Sequence, residues 1–275
     1  MPTSSSTQNP TVIDRVPFGV PAFDRVLGGV PNRCVSLVFG QSQVARWATC
    51  FAFANALVNN RVPPAVISVT DPAQWVETSE AFGGQVKPPD VEFLHVAQNV
   101  LTPQLAHDAW LEMLPTLEGR RNGRIAFCSA LPWLAFVPER NMREYVAAFV
   151  GALEELSANV LLVLPEPVSP RATTLVRHLE AACPVVIRLD PGNEANSIHW
   201  TTRRFDGSFD LPEFDLAESD LRELPQQSWD PVKPGKKSAT TQDKSPITLD
   251  YARLMGMESE TKTHSVTANE RYPRS

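Results

Sequence analysis

Cys34-Val35-Ser36-Leu37-Val38-Phe39-Gly40-Gln41-Ser42-Gln43-Val44-Ala45-Arg46-Trp47 reads as a strand, a turn and the first residues of a helix. Residues 34–39 are apolar toward both faces and bounded by Asn32 and Gly40, the pattern of a strand buried on both sides of a parallel sheet. The helix that follows is expected over 45–59. Ala48, Phe51, Phe53, Ala54 and Leu57 make it apolar on nearly every side, so it must pack against a sheet. Upstream, a segment starting near Val16 leads through Pro17 to Pro21 into a short helix, which Leu27-Gly28-Gly29 stops.

Downstream the alternation recurs. Strands are expected over 65–69, 92–96, 124–128, 160–164 and 184–189, and helices over 73–82, 105–117, 143–158 and 173–182. Pro115 is a kink point in the second of these helices, and Val146, Phe149, Val150 and Leu153 give the third a clear apolar face. Strands alternating with helices at this spacing predict a three-layer α/β domain with a mostly parallel central sheet. A last strand over 197–205 turns at Asp206-Gly207 into 208–210 as an antiparallel hairpin. The domain is therefore expected over 16–211, after a disordered leader at 1–15. Pro, Ser, Thr, Lys and Asp dominate residues 212–275, which are read as a disordered tail that cannot bury enough surface to offset its ordering entropy. Within it Ile247, Tyr251, Leu254 and Met255 fall at helical spacing, so 246–256 is either a short helix for a partner's groove or disorder with accidental spacing.

A net charge of −6 argues against unassisted binding to phosphate backbones, so nucleic acid is not an expected partner. Trp75, Trp110 and Trp133 lack the surrounding Lys and Arg that a stacking platform for single strands needs. Cys34, Cys50, Cys128 and Cys183 have no metal-ligand spacing and sit among apolar residues, as reduced thiols of a cytoplasmic protein do; no disulfide is expected. The five histidines have no ligand spacing either, so no metal is expected. Ser129 follows a strand, but without a G-x-S-x-G elbow it does not read as a nucleophile. The first residues do not resemble a secretory signal, and no apolar run has membrane-spanning length.

Gly19-Val20-Pro21-Ala22-Phe23-Asp24-Arg25-Val26-Leu27-Gly28-Gly29-Val30-Pro31 resembles the opening motif G-hydrophobic-x-x-hydrophobic-D-x-x-hydrophobic-G-G-hydrophobic-P of KaiC and RadA-type members of the RecA superfamily. The resemblance continues in order through residues 18–210, by pattern rather than identity. It implies a RecA-like sheet and, for the family, rings or filaments with nucleotide at subunit interfaces. Working members follow the first strand with G-x-x-x-x-G-K-[ST], in which backbone N–H groups wrap the phosphates, the lysine reaches the outer phosphates and the hydroxyl ligates magnesium. Of these only Gly40 is kept. Ala45 replaces the second glycine, Arg46 the lysine and Trp47 the hydroxyl, and the indole is expected in or beside the pocket. Where relatives end a later strand with a magnesium-holding aspartate and a serine, this chain has Cys128-Ser129, and a thiol is a poor magnesium ligand. The catalytic glutamate of relatives would fall near Asp71, which is one methylene shorter and precedes Pro72. A basic strand of the form K-x-R-G, which in relatives reaches the neighbour's nucleotide, is matched in place by Arg203 and Arg204, read either as an interface relic or as a solvated strand end.

These replacements predict a pseudo-ATPase: a non-catalytic, KaiC-like scaffold or regulator that pairs with itself or with another protein and needs no cofactor. Two alternatives stay open, an accessory subunit of a recombination or Elongator-like RecA-type assembly and a sensor that binds ATP weakly without cleaving it.

Overall fold

The computed structural model describes residues 14–56, 62, 64–68, 92–95, 103–129, 134, 137–194, 197–205, 211 and 213–217. Asp71, Trp75, Trp133, the expected helix at 73–82, the turn at 206–210 and the expected partner helix with Ile247, Tyr251, Leu254 and Met255 lie outside them.

The strands are β1 (Arg15–Val16), β2 (Val30–Pro31), β3 (Val35–Gly40), β4 (Ala65–Ser68), β5 (Glu92–His95), β6 (Arg124–Phe127), β7 (Asn159–Pro165), β8 (Val185–Pro191), β9 (Ser197–Phe205) and β10 (Glu213–Ala217). The helices are α1 (Pro21–Leu27), α2 (Gln43–Asn55), α3 (Pro103–Gly119), α4 (Met142–Glu154) and α5 (Pro170–Ala182). β1 and β2 form a small antiparallel ribbon, and the rest form an eight-stranded sheet in the order β10-β9-β8-β3-β7-β6-β4-β5. From β8 to β5 all pairs are parallel, while β9 and β10 add antiparallel strands at one edge. Among the described residues no helix is long and apolar enough to cross a membrane.

Period-two alternation divides the core into two layers. Val35, Leu37 and Phe39 of β3 join Ile125 and Phe127 of β6 beneath α3, α4 and α5, where Trp110, Phe149 and Leu179 pack. Val38 faces the other way with Leu161 and Val163 of β7, beneath α1 and α2, where Phe18, Phe23 and Phe53 pack with Trp200 of β9. Helices thus cover both faces, as expected of a mostly parallel sheet.

The opening motif forms a clasp. Gly28 caps α1 in the left-handed region at φ 71°, which favours glycine, and its N–H donates to Asp24 O. The Asp24 carboxylate accepts the N–H of Phe18 at 2.6 Å and of Gly19 at 2.9 Å, and burial pushes it above its ordinary value against the pull of those donors and Arg124. Arg124 is buried at the start of β6. Its guanidinium donates to the carbonyls of Pro17, Phe18 and Phe53 and lies 4.6 Å over the Phe53 ring, so one residue ties the first segment and the end of α2 to the sheet. Burial lowers this guanidinium to about 9, which leaves it charged at neutral pH.

Helix starts differ from expectation where a serine caps the first turn. α2 begins at Gln43 because Ser42 accepts the N–H of Ala45, and α5 begins at Pro170 because Ser169 accepts that of Ala172. α4 ends at Glu154, and Ser157 beyond it has φ 52°. α3 runs through Pro115.

The boundary at 211/212 needs correction. Beside residues 197–201 of β9 lies β10, inside the stretch read as tail, while 208–210 fall outside the described residues. Phe214 and Leu216 alternate with acids, and the alternation matters more than the composition: Phe214 stacks on Trp200 at 5.8 Å and Leu216 is buried. At the other end, Arg15 lies in β1 and Asp14 accepts from Asn32 at 2.8 Å, so these two residues of the expected leader belong to the fold. Deleting 212–275 should therefore cost about 3 kcal/mol of unfolding free energy through lost Leu216 and Phe214 burial, whereas deleting 218–275 should leave cooperative unfolding intact. Equal urea midpoints for the two truncations would contradict this.

Candidate functional site

In open α/β sheets ligands bind outside the carboxyl ends of adjacent strands whose following helices lie on opposite faces. Here those strands are β3 and β7: α2 packs in one core layer and α5 in the other, and Gly40 pairs with Pro165. The crevice between the β3–α2 turn and the β7–α5 loop is thus the place to look for a site.

Its β3 wall is closed on itself. Only Gln41 and Ser42 separate β3 from α2, so Val44 and Ala45, expected in a phosphate-wrapping loop, are already helical. Ser42 Oγ takes the Ala45 N–H at 3.1 Å and Ser42 O the Arg46 N–H at 3.1 Å, which ties up donors of the first turn. The Arg46 guanidinium bends back to donate to Gly40 O and to Gln41 O, the latter at 3.1 Å, and half-burial lowers its pKa. Gly40 O also accepts the Glu166 N–H at 3.0 Å. A Cβ on Gly40 would stand 2.0 Å from Leu189 O, so the close approach of β8 requires this glycine without any ligand. Trp47 is half-buried against the layer containing α1 and α2.

Cys128 stands one residue past β6, and its N–H donates to Ile67 O at 2.9 Å. Burial and a hydrogen bond with Cys50, one helical turn beyond Arg46, push its thiol well above the ordinary value. It is therefore a neutral group at neutral pH and poorly suited to a cation. All four cysteines are free and buried. Ser129 is half-buried beside it.

Three residues that the sequence reading did not single out complete the rim. Arg188 of β8 donates to Asp190 at 3.0 Å and to Glu166, just past β7, at 3.1 Å. The available signal was charged residues at alternate positions near the end of an otherwise apolar strand. With Arg46, the four bring two cations and two carboxylates to the rim, so the described residues of the crevice give it no net positive charge of the kind that gathers phosphates.

Arg203 and Arg204 lie outside this crevice. Arg204 donates to the carbonyls of Glu180 and Ala181 at the end of α5, where a cation meets the negative helix terminus, and Arg203 pairs with the Glu180 carboxylate at 3.2 Å. Both thus have partners within the chain.

No protein-family model and no curated protein matches this chain. Its chemistry must be read from the geometry above.

Proposed function

We propose that this chain is a catalytically inactive, KaiC/RadA-like protein of the RecA superfamily, acting in the cytoplasm as a scaffold or regulatory partner through self-association or pairing with another protein. The observation that carries this reading is the β3–α2 junction. Its capped helix start and the Arg46 guanidinium on the Gly40 and Gln41 carbonyls leave that cation directed at the protein's own backbone. Nucleotide does not fit there. The loop is too short to wrap phosphates, and at the end of β6 a buried neutral thiol replaces a carboxylate. The two-sided sheet and the opening motif at its start support the family reading. With the site closed, surfaces and the C-terminal segment, including Ile247, Tyr251, Leu254 and Met255, are left to carry function through contact.

Purified full-length protein should show no magnesium-dependent ATP hydrolysis and no ATP-dependent rise in melting temperature. A bound ligand at one hundred times its dissociation constant would stabilise the fold by about 2.7 kcal/mol, readily seen in a thermal scan. Stabilisation without turnover would favour the ATP-sensor reading. Turnover that disappears in Arg46→Ala would overturn the proposal.

A further inference from the structure

The edge hairpin carries a charge cluster that the closed crevice does not explain. His199 of β9 stands directly opposite Asp215 of β10 on one side and Asp190 of β8 on the other, and directly opposed residues of antiparallel strands share a face. Its Nδ1 lies 2.8 Å from the Asp215 carboxylate and its Nε2 3.5 Å from that of Glu213, so the ring spans two carboxylates of the outermost strand. On the β8 side, Asp190 is held by Arg188, which also holds Glu166 from the β7–α5 loop; on β9 itself, Arg203 is paired with Glu180 of α5. Around this rung Glu166, Asp190, Glu213 and Asp215 thus face Arg188 and His199. Loss of one proton leaves the Glu213 and Asp215 carboxylates facing a neutral ring, while Asp190 and Glu166 keep Arg188.

We propose that His199 is a proton-operated latch on β10: the imidazolium bridges β9 to Glu213 and Asp215, and the neutral ring loosens the strand's hold. The hydrogen bond to Asp215, chiefly, raises the histidine above its ordinary value. A group raised in the folded state contributes stability that is fully present below its unfolded value, about 6.5, and is lost as pH rises through the folded value. The latch therefore holds β10 more tightly in mildly acidic solution, and β10 opens more often on the alkaline side. Opening lifts Phe214 from Trp200 and Leu216 from the core, and it frees the strand from which residues 218–275 continue.

Hydrogen exchange of the 213–217 amides in the full-length protein, corrected for intrinsic rates, tests this. Between about pH 5.5 and about pH 8.5 the opening equilibrium should grow about three-fold, the scale of an exposed ion pair, while amides of β3 and β7 keep their protection. His199→Gln should exchange at the alkaline wild-type level at both pH values, and His199→Lys should stay protected at both. Absence of a pH effect in the wild type, or the same effect retained in His199→Gln, would overturn the latch.

Discussion

Replacing Arg124 with methionine should lower the unfolding free energy by about 3 kcal/mol, the cost of taking a charged donor away from several backbone carbonyls. Methionine keeps much of the volume against Phe53 but no donor. The carbonyls of Pro17, Phe18 and Phe53 then lose the guanidinium, and the Asp24 carboxylate loses its nearby opposite charge. Each loss falls on a different element, so the opening segment and the end of α2 should loosen together. Urea denaturation is the direct measurement, with a lower midpoint at an unchanged slope. Adding Asp24→Asn should recover part of the loss, because the amide is less costly to leave without the cation. A shift below about 1 kcal/mol would show that apolar packing around Phe18 and Phe23 holds the segment without the clasp.

Gly40→Ala should be comparably damaging, costing about 3 kcal/mol as an overpacked core substitution. The new methyl would meet Leu189 O at 2.0 Å. That oxygen belongs to backbone in the middle of the sheet, where β3 is paired on both sides, so no side chain can swing away to make room. The result bears on the reading of the turn as well as on stability. If Gly40 is held by the sheet, its presence at this turn needs no nucleotide to explain it. Thermal or urea unfolding of Gly40→Ala equal to wild type would mean that β8 yields more easily than its central position allows.

Much of the architecture was legible in the chain because it rests on local patterns. Residues 34–39 are apolar but for Ser36 and residues 160–164 without interruption, so two-sided burial was readable, and the Val146, Phe149, Val150 and Leu153 stripe lies buried in α4 as its spacing requires. β10 was hidden because its alternation spans five residues, two of them acids. The short β3–α2 turn was hidden for another reason: Ser42 is a plain helix cap, but the resemblance directed attention to a longer loop. Arg46 could be read as a cation in the right place, yet its direction depends on side-chain torsions that no motif encodes. The Glu166, Arg188 and Asp190 cluster exists only because β3 brings the ends of β7 and β8 together on its two sides, a property of strand order.

That same order constrains how the chain is made. β3, near the beginning, has as its sheet neighbours β7 and β8, which start at Asn159 and Val185. A ribosome must pass Pro191 before the central strand can be paired on both sides, and until then its backbone donors and acceptors face water or whatever else is near. For a protein whose proposed work is contact rather than catalysis, the interval between synthesis of β3 and arrival of β8 is when a wrong strand can most easily take the place of the right one.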